Sequence, residues 1–258
     1  MHKNIGFVST RLAGTDGVSL ESNKWADILQ QSGHKCFWFA GALDRIPDNS
    51  FHIPEAHFKH DTNQWINERV FGQKGRKQPV TQTIHDLRSH LKFKLHEFIK
   101  QFEIDLLVAE NALTIPLHVP LGLALTETIA ETQLPTIAHH HDFFWERVRF
   151  SVNAVNDYLR MAFPPNLNNI QHVVINSMAR FDLARRSGIT ATVIPNVLDF
   201  ENPPGENAKS LDQVIKHAKD LRHIVDRGGR TVELQQVEGI SVQVREAALN
   251  ESGKIVTV

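Results

Sequence analysis

The sequence predicts an α/β fold: a Rossmann-like parallel sheet with helices on both faces, followed by a short α+β tail. Three observations predict it. Short β-rich runs alternate with longer helical patterns through roughly the first 200 residues, which is the rhythm of βαβ units. The second such run, Lys35-Cys36-Phe37-Trp38-Phe39-Ala40, is nearly all apolar, as suits a strand covered on both faces. Beyond Phe200 the rhythm stops, and Glu201-Asn202-Pro203-Pro204-Gly205 has the character of a linker.

Each element follows from its local pattern. Asn4 to Ser9 reads as the first strand, Thr10 to Gly17 as a loop, and Val18 to Gln31 as a helix stopped at Gly33. His34 to Ala40 is the second strand, and Gly41 to Gln78 is expected to be an irregular, mobile excursion. From Thr81 to Phe102, the residues Ile84, Leu87, Leu91, Leu95 and Phe98 recur at intervals of three and four, which makes one amphipathic helix. Strands at Asp105 to Ala109 and Pro135 to His139 flank a helix from Pro120 to Thr132. Val173 to Ser177 is a strand whose last residues can cap the helix Met178 to Arg186, and Thr192 to Asn196 closes the series. Residues 1–204 thus form one domain. Residues 205–258 form a tail with a helix from Leu211 to Val225 and short strands at Arg230 to Val237, Ile240 to Val244 and Lys254 to Val258.

Composition removes several function classes. With 28 Lys+Arg against 29 Asp+Glu the net charge is -1, which argues against nucleic acid as a partner. The single cysteine, Cys36, permits no internal disulfide and reads as a buried thiol in a reducing compartment. The first residues lack the apolar run of a signal peptide, and the apolar stretch Leu113 to Ala130 is broken by Pro116, His118, Pro120, Thr126 and Glu127. A cytoplasmic protein without a membrane span is expected. A basic group at Lys74, Arg76, Lys77, Arg88, Lys92 and Lys94 reads as a solvated face, with peripheral contact to anionic lipid as the alternative.

Ligands of open parallel sheets bind where loops leave the carboxyl ends of the strands, and three polar segments fall there. The first is Gly14-Thr15-Asp16-Gly17, where glycines allow close backbone approach and the following helix N-terminus can face an anion; a tight turn is the plainer reading. The second is His139-His140-His141-Asp142. Alternate residues of an extended chain share a face, so His139 and His141 point together and His140 points away. With Asp142 they could ligate zinc. No H-E-x-x-H or cysteine pair accompanies them, so no metal is expected, and a hydrolase built on this run ranks third among the functions considered. Trp145 after it offers either a stacking platform for a sugar or a core anchor, and Arg147 offers a fork for a phosphate or carboxylate. The third segment is Glu110-Asn111, two candidates for binding ligand hydroxyls.

In this order and spacing, the segments resemble the N-terminal half of a GT-B glycosyltransferase of the large retaining family 4. The carriers are the strand Ile5 to Ser9 with its glycine loop, Gly33-His34 before strand two, His141-Asp142 after a mid-domain strand, the strand and helix around Asn176-Ser177, and Val193-Ile194-Pro195-Asn196-Val197-Leu198-Asp199-Phe200. The resemblance covers residues 4–204. It implies an acceptor site on this domain, a nucleotide-diphospho-sugar as donor substrate and no other cofactor. It also implies that Gly17 approaches the donor and that His141 and Asp142 are catalytic, with His141 bonded to the transferred sugar. Glu238 and Glu246 match the family's donor-binding E-x7-E spacing. The 54 residues after Pro204 are too few for a full donor domain. The expectation is therefore a hexosyltransferase acting on a small hydroxylated acceptor, with a non-catalytic half-module, completed by a partner chain or a second copy, as the alternative.

Overall fold

The computed structural model describes residues 2–196 and, further on, two short strands. Seven strands form one sheet in the order β3-β2-β1-β4-β5-β6-β7, every neighbouring pair parallel. They are β1 (Asn4–Val8), β2 (Lys35–Ala40), β3 (Ser50–His52), β4 (Leu106–Glu110), β5 (Thr136–His140), β6 (Ile170–Val174) and β7 (Ala191–Val193). The order reverses direction between β1 and β4, and the switch opens a crevice at their carboxyl ends.

Six helices join them: α1 (Gly17–Gln31), α2 (Asp61–Val70), α3 (Gln78–Gln101), α4 (Val119–Thr132), α5 (Asn156–Ala162) and α6 (Ser177–Ser187). The period-two alternation of the strands divides the core between the two faces of the sheet. Ile5, Phe7, Cys36, Trp38 and Val108 pack with Ala26, Trp25 and Leu29 of α1. Val8, Phe39, Leu107, Ala109 and Ala138 meet the stripes of α3 and α4, including Ile84, Leu91, Leu95 and Phe98. Val174 carries α6 through Ala179 and Leu183.

The stretch expected to be an irregular excursion is ordered instead. It holds the edge strand β3, two single 3-10 turns and α2, whose buried side chains are Asn63, Ile66 and Val70. A three-residue strand is too short to show a period, and an asparagine interrupts the apolar stripe of α2. That asparagine is held by two carbonyls, Phe58 O at 2.9 Å and Leu117 O at 2.8 Å. Gly41 is needed where the segment returns, because a Cβ there would stand 2.0 Å from His57 N. Helix α5 was likewise not anticipated; at seven residues it spans about two turns.

Of the basic group, Lys74 and Lys77 are exposed, while the other four are paired. Arg76 makes two bonds of 2.7 and 2.6 Å to Asp157, Arg88 meets Glu127 at 2.7 Å, Lys92 meets Glu127 and Glu131, and Lys94 meets Glu97. Arg88 and Lys92 tie α3 to α4, which is a structural use of charge. No helix among the described residues is long and apolar enough to cross a membrane.

Residues Met1–Asn196 form one compact unit and Val197–Val258 a second. In the second, strands β8 (Ala247–Leu249) and β9 (Ile255–Thr257) pair antiparallel. β9 falls within the strand expected at Lys254 to Val258, whereas β8 was not anticipated. The expected helix from Leu211 to Val225, the strands up to Val244, and Glu238 and Glu246 lie outside the described residues.

Candidate functional site

Parallel pairing brings the site together. β4 and β5 run in register with Glu110 opposite His139, both on the α1 face, and alternation places His141 beyond His139 on that face. Their rings lie 4.6 Å apart, and Trp25 of α1 stacks on His139 at 4.5 Å. Glu110 is a strand residue rather than a loop residue, and it is fully buried. His139 Nδ1–H donates to Glu110 Oε2 at 3.0 Å, and His141 Nε2 stands 3.7 Å from the same oxygen. Burial pushes the Glu110 carboxyl up, but the bonds and charges of the two imidazoles outweigh it and hold the pKa below the usual range. The group is therefore a buried carboxylate with two imidazole neighbours.

Asp142, the carboxylate expected beside the histidine pair, turns elsewhere. It pairs with Arg147 and accepts a bond of 3.3 Å from Asn111 Nδ2. Asn111, in the left-handed region at φ 55°, also accepts a bond from His141 N at 3.2 Å, so one asparagine links the ends of β4 and β5. Asn196 reaches His141 Nδ1 at 3.3 Å. Trp145 is packed: Phe143 stacks on it at 4.4 Å and the Arg186 guanidinium lies over its ring.

On the other face His140 is bonded to Thr114 Oγ1 at 2.6 Å and to His172 Nδ1 at 2.9 Å. Burial drives both rings to the neutral form, His172 to about 4. Both ring nitrogens of His140 are bonded, whereas His172 Nε2 is buried without a hydrogen-bond partner.

Glu110, His139 and His141 place one ligand atom each within 4.8 Å of one another. Their donor types suit a late first-row cation. The surroundings do not: a metal-bound imidazole donates its second N–H to a carboxylate or carbonyl, and His139 Nε2 is buried without a partner. The internal bonds leave Glu110 Oε1, His139 Nε2 and His141 Nε2 buried without a hydrogen-bond partner.

At the switch between β1 and β4 lies a cleft of about 520 Å³, open space at its mouth included, lined by Thr10, Arg11, Asp16, Phe58, Asn111 and His118 among others. Asp16 caps α1 by accepting from Ser19 N at 3.3 Å and Ser19 Oγ at 2.7 Å. Gly14, at φ 82°, needs its glycine to make the turn, and a Cβ on Gly17 would meet only open space. Thr15 is exposed between them. His118 caps α4 by accepting from Leu121 N and donates Nε2–H to Glu55 O at 2.8 Å; burial lowers its pKa to about 4. It lines the cleft as a neutral imidazole. Arg11 carried no signal in the sequence, because an arginine in a loop is indistinguishable from a solvated one.

The chain is similar to mannosylglucosylglycerate synthases. It is 30% identical over 231 residues to that of Petrotoga mobilis, covering 84% of this chain and 51% of the relative. It is 34% identical over 206 residues to that of Thermotoga maritima, covering 77% and 46%. The chain spans about half the length of the mannosylglucosylglycerate synthases it matches. No protein-family model matches.

Proposed function

We propose that this chain carries the acceptor-side half of a retaining GT-B, family 4 hexosyltransferase that joins a sugar from a nucleotide-diphospho-sugar to a small hydroxylated acceptor. The observation that carries the reading is the Glu110–His139–His141 cluster at the carboxyl edge of the sheet, in a chain similar to synthases of a glycosylated glycerate. By that similarity the acceptor is a glycerate-bearing glycoside or a close analogue.

In the transfer, the bond between the anomeric carbon and the diphosphate breaks and the diphosphate keeps the electron pair. The acceptor hydroxyl forms the new bond and releases its proton to the departing phosphate. His141 is assigned to a hydroxyl of the transferred sugar, Asp142 and Asn111 fix the loop that carries it, and the backbone from Gly14 to Gly17 approaches the donor. Glu110 acts through the two imidazoles as a positioning residue. Rate enhancement then comes from placement and from fixed dipoles at the developing charge. Trp145 and Arg147 support the loop, Trp145 through its packing and Arg147 through Asp142. Glu238 and Glu246 remain candidates for the donor side.

The test is nucleoside-diphosphate release by the purified 258-residue chain with UDP-, GDP- and ADP-sugars, with and without acceptor. Acceptor-dependent release that exceeds a His141→Ala control supports the enzyme. No release with any donor supports the binding half-module.

A further inference from the structure

Three donors of the histidine cluster converge with lone pairs to spare. Around a first-row cation bound at about 2.0–2.1 Å, tetrahedral ligand atoms stand about 3.3 Å apart. Glu110 Oε2 lies 3.0 Å from His139 Nδ1 and 3.7 Å from His141 Nε2, on either side of that spacing. The cluster as a whole offers one ligand atom per residue within 4.8 Å. Glu110 and His139 are fully buried, and neither Glu110 Oε1 nor His141 Nε2 makes a hydrogen bond. Two imidazoles and a carboxylate are also the ligand set of open zinc sites, which keep a fourth position for water or a substrate oxygen. His141 is the one partly exposed member, so access to the cluster runs past its ring.

The surroundings decide how tightly such a site holds. Asn196 stands 3.3 Å from His141 Nδ1, where its side-chain amide can support the ring's second nitrogen. His139 has no such support: to ligate through Nδ1 it must carry its proton on Nε2, which is buried without a hydrogen-bond partner. A missing partner of this kind costs about 10- to 100-fold in metal affinity but leaves the ligands in place. The cluster therefore suits a cation that exchanges rather than one held permanently. We propose that Glu110, His139 and His141 form an exchangeable, inhibitory site for a late first-row divalent cation of the zinc class. The inhibition rests on the function proposed above, which assigns His141 to a hydroxyl of the transferred sugar. A ring that ligates the cation is withdrawn from that hydroxyl, so the cation and the donor sugar exclude one another. The binding itself rests on the geometry alone.

Calorimetric titration of the metal-stripped 258-residue chain with zinc chloride, and visible spectra with cobalt chloride, test the site. One zinc per chain and the intense visible bands of a low-coordinate cobalt centre are expected, without competition from magnesium, which prefers oxygen ligands. His141→Ala and Glu110→Gln, both checked for fold by circular dichroism, are each expected to lose ~10-fold or more of the zinc affinity, together with the cobalt bands. His90→Ala, which removes the exposed His90–Glu55 pair at 3.6 Å, is expected to change neither. Absence of stoichiometric zinc, unchanged affinity in His141→Ala, or loss of the zinc in His90→Ala overturns the site. In the nucleoside-diphosphate release assay, zinc is expected to inhibit competitively with the sugar nucleotide, and a chelator to restore the rate. Release that bound zinc leaves unchanged or accelerates overturns the inhibition. Zinc bound at the cluster of a chain that releases no nucleoside diphosphate, with or without chelator, leaves the cation site standing and overturns the transfer reading. Release by a chain that binds no zinc does the reverse.

Discussion

At the scale of single residues the decisive feature is a carboxylate placed where water cannot reach it. Glu110 keeps its charge because the two imidazoles outweigh the cost of burial. Replacing it with Gln removes that charge and leaves the shape. A hydrogen bond to a charged group contributes about 1.5–3 kcal/mol, so Glu110→Gln is expected to slow transfer roughly tenfold or more and to shift the pH profile of the rate. His141→Ala removes the group assigned above to the transferred sugar; a loss of roughly 100-fold, in a chain that still folds, is the result that assignment requires of steady-state assays and circular dichroism. The buried histidines set the acid limit. His118 and His172 have folded pKa values of about 4 against an ordinary 6.5, so the unfolded chain binds more protons than the folded one in that interval. Their stabilisation is fully present above pH 6.5 and is lost as the pH falls towards 4, at about 1.4 kcal/mol per pKa unit for each group. Glu110, with its pKa lowered from 4.5, adds a further loss below that value. Melting temperatures measured from pH 7.5 to 4 are therefore expected to fall steeply below 6.5, and less steeply in His118→Asn, which keeps an N-cap side chain without the titration.

At the scale of elements, α1 joins fold to site. Its apolar stripe covers one face of the sheet, its Trp25 lies on His139, and its N-cap Asp16 borders the cleft. Asp16→Ala is expected to cost about 1 kcal/mol through loss of the cap, whereas Asp16→Asn keeps the cap and removes the ion pair with Arg11. Thermal melts should separate the two variants. The legibility of the fold also divides by element. The stripe of α3 was plain because Ile84, Leu87, Leu91, Leu95 and Phe98 are all buried on one face. α2 was not, because Asn63 in its stripe is satisfied by carbonyls from elsewhere in the chain. In the site, the period of two correctly paired His139 with His141 and turned His140 away. It could not supply their carboxylate, since Glu110 reaches them across a strand pairing 29 residues away in sequence while the adjacent Asp142 is taken by Arg147.

At the scale of the molecule, the residues that build the cleft and the histidine cluster belong to one unit that ends at Asn196, with its own seven-stranded sheet and cores on both faces. A unit of this size buries about two thirds of the surface its unfolded chain exposes, enough for an independent domain. Asn196 itself, bonded to His141, lies inside it. On the function proposed above, acceptor recognition would reside in residues 1–196 and donor binding would draw on residues beyond them. A chain ending at Asn196 is accordingly expected to melt in one cooperative transition and to bind glucosylglycerate with the affinity of the 258-residue chain. It is expected to release no nucleoside diphosphate from any sugar nucleotide. Calorimetry on the two chains side by side checks both halves: a tenfold loss of acceptor affinity would place part of the acceptor site beyond Asn196, and nucleotide release by the shorter chain would place the donor site within the first unit.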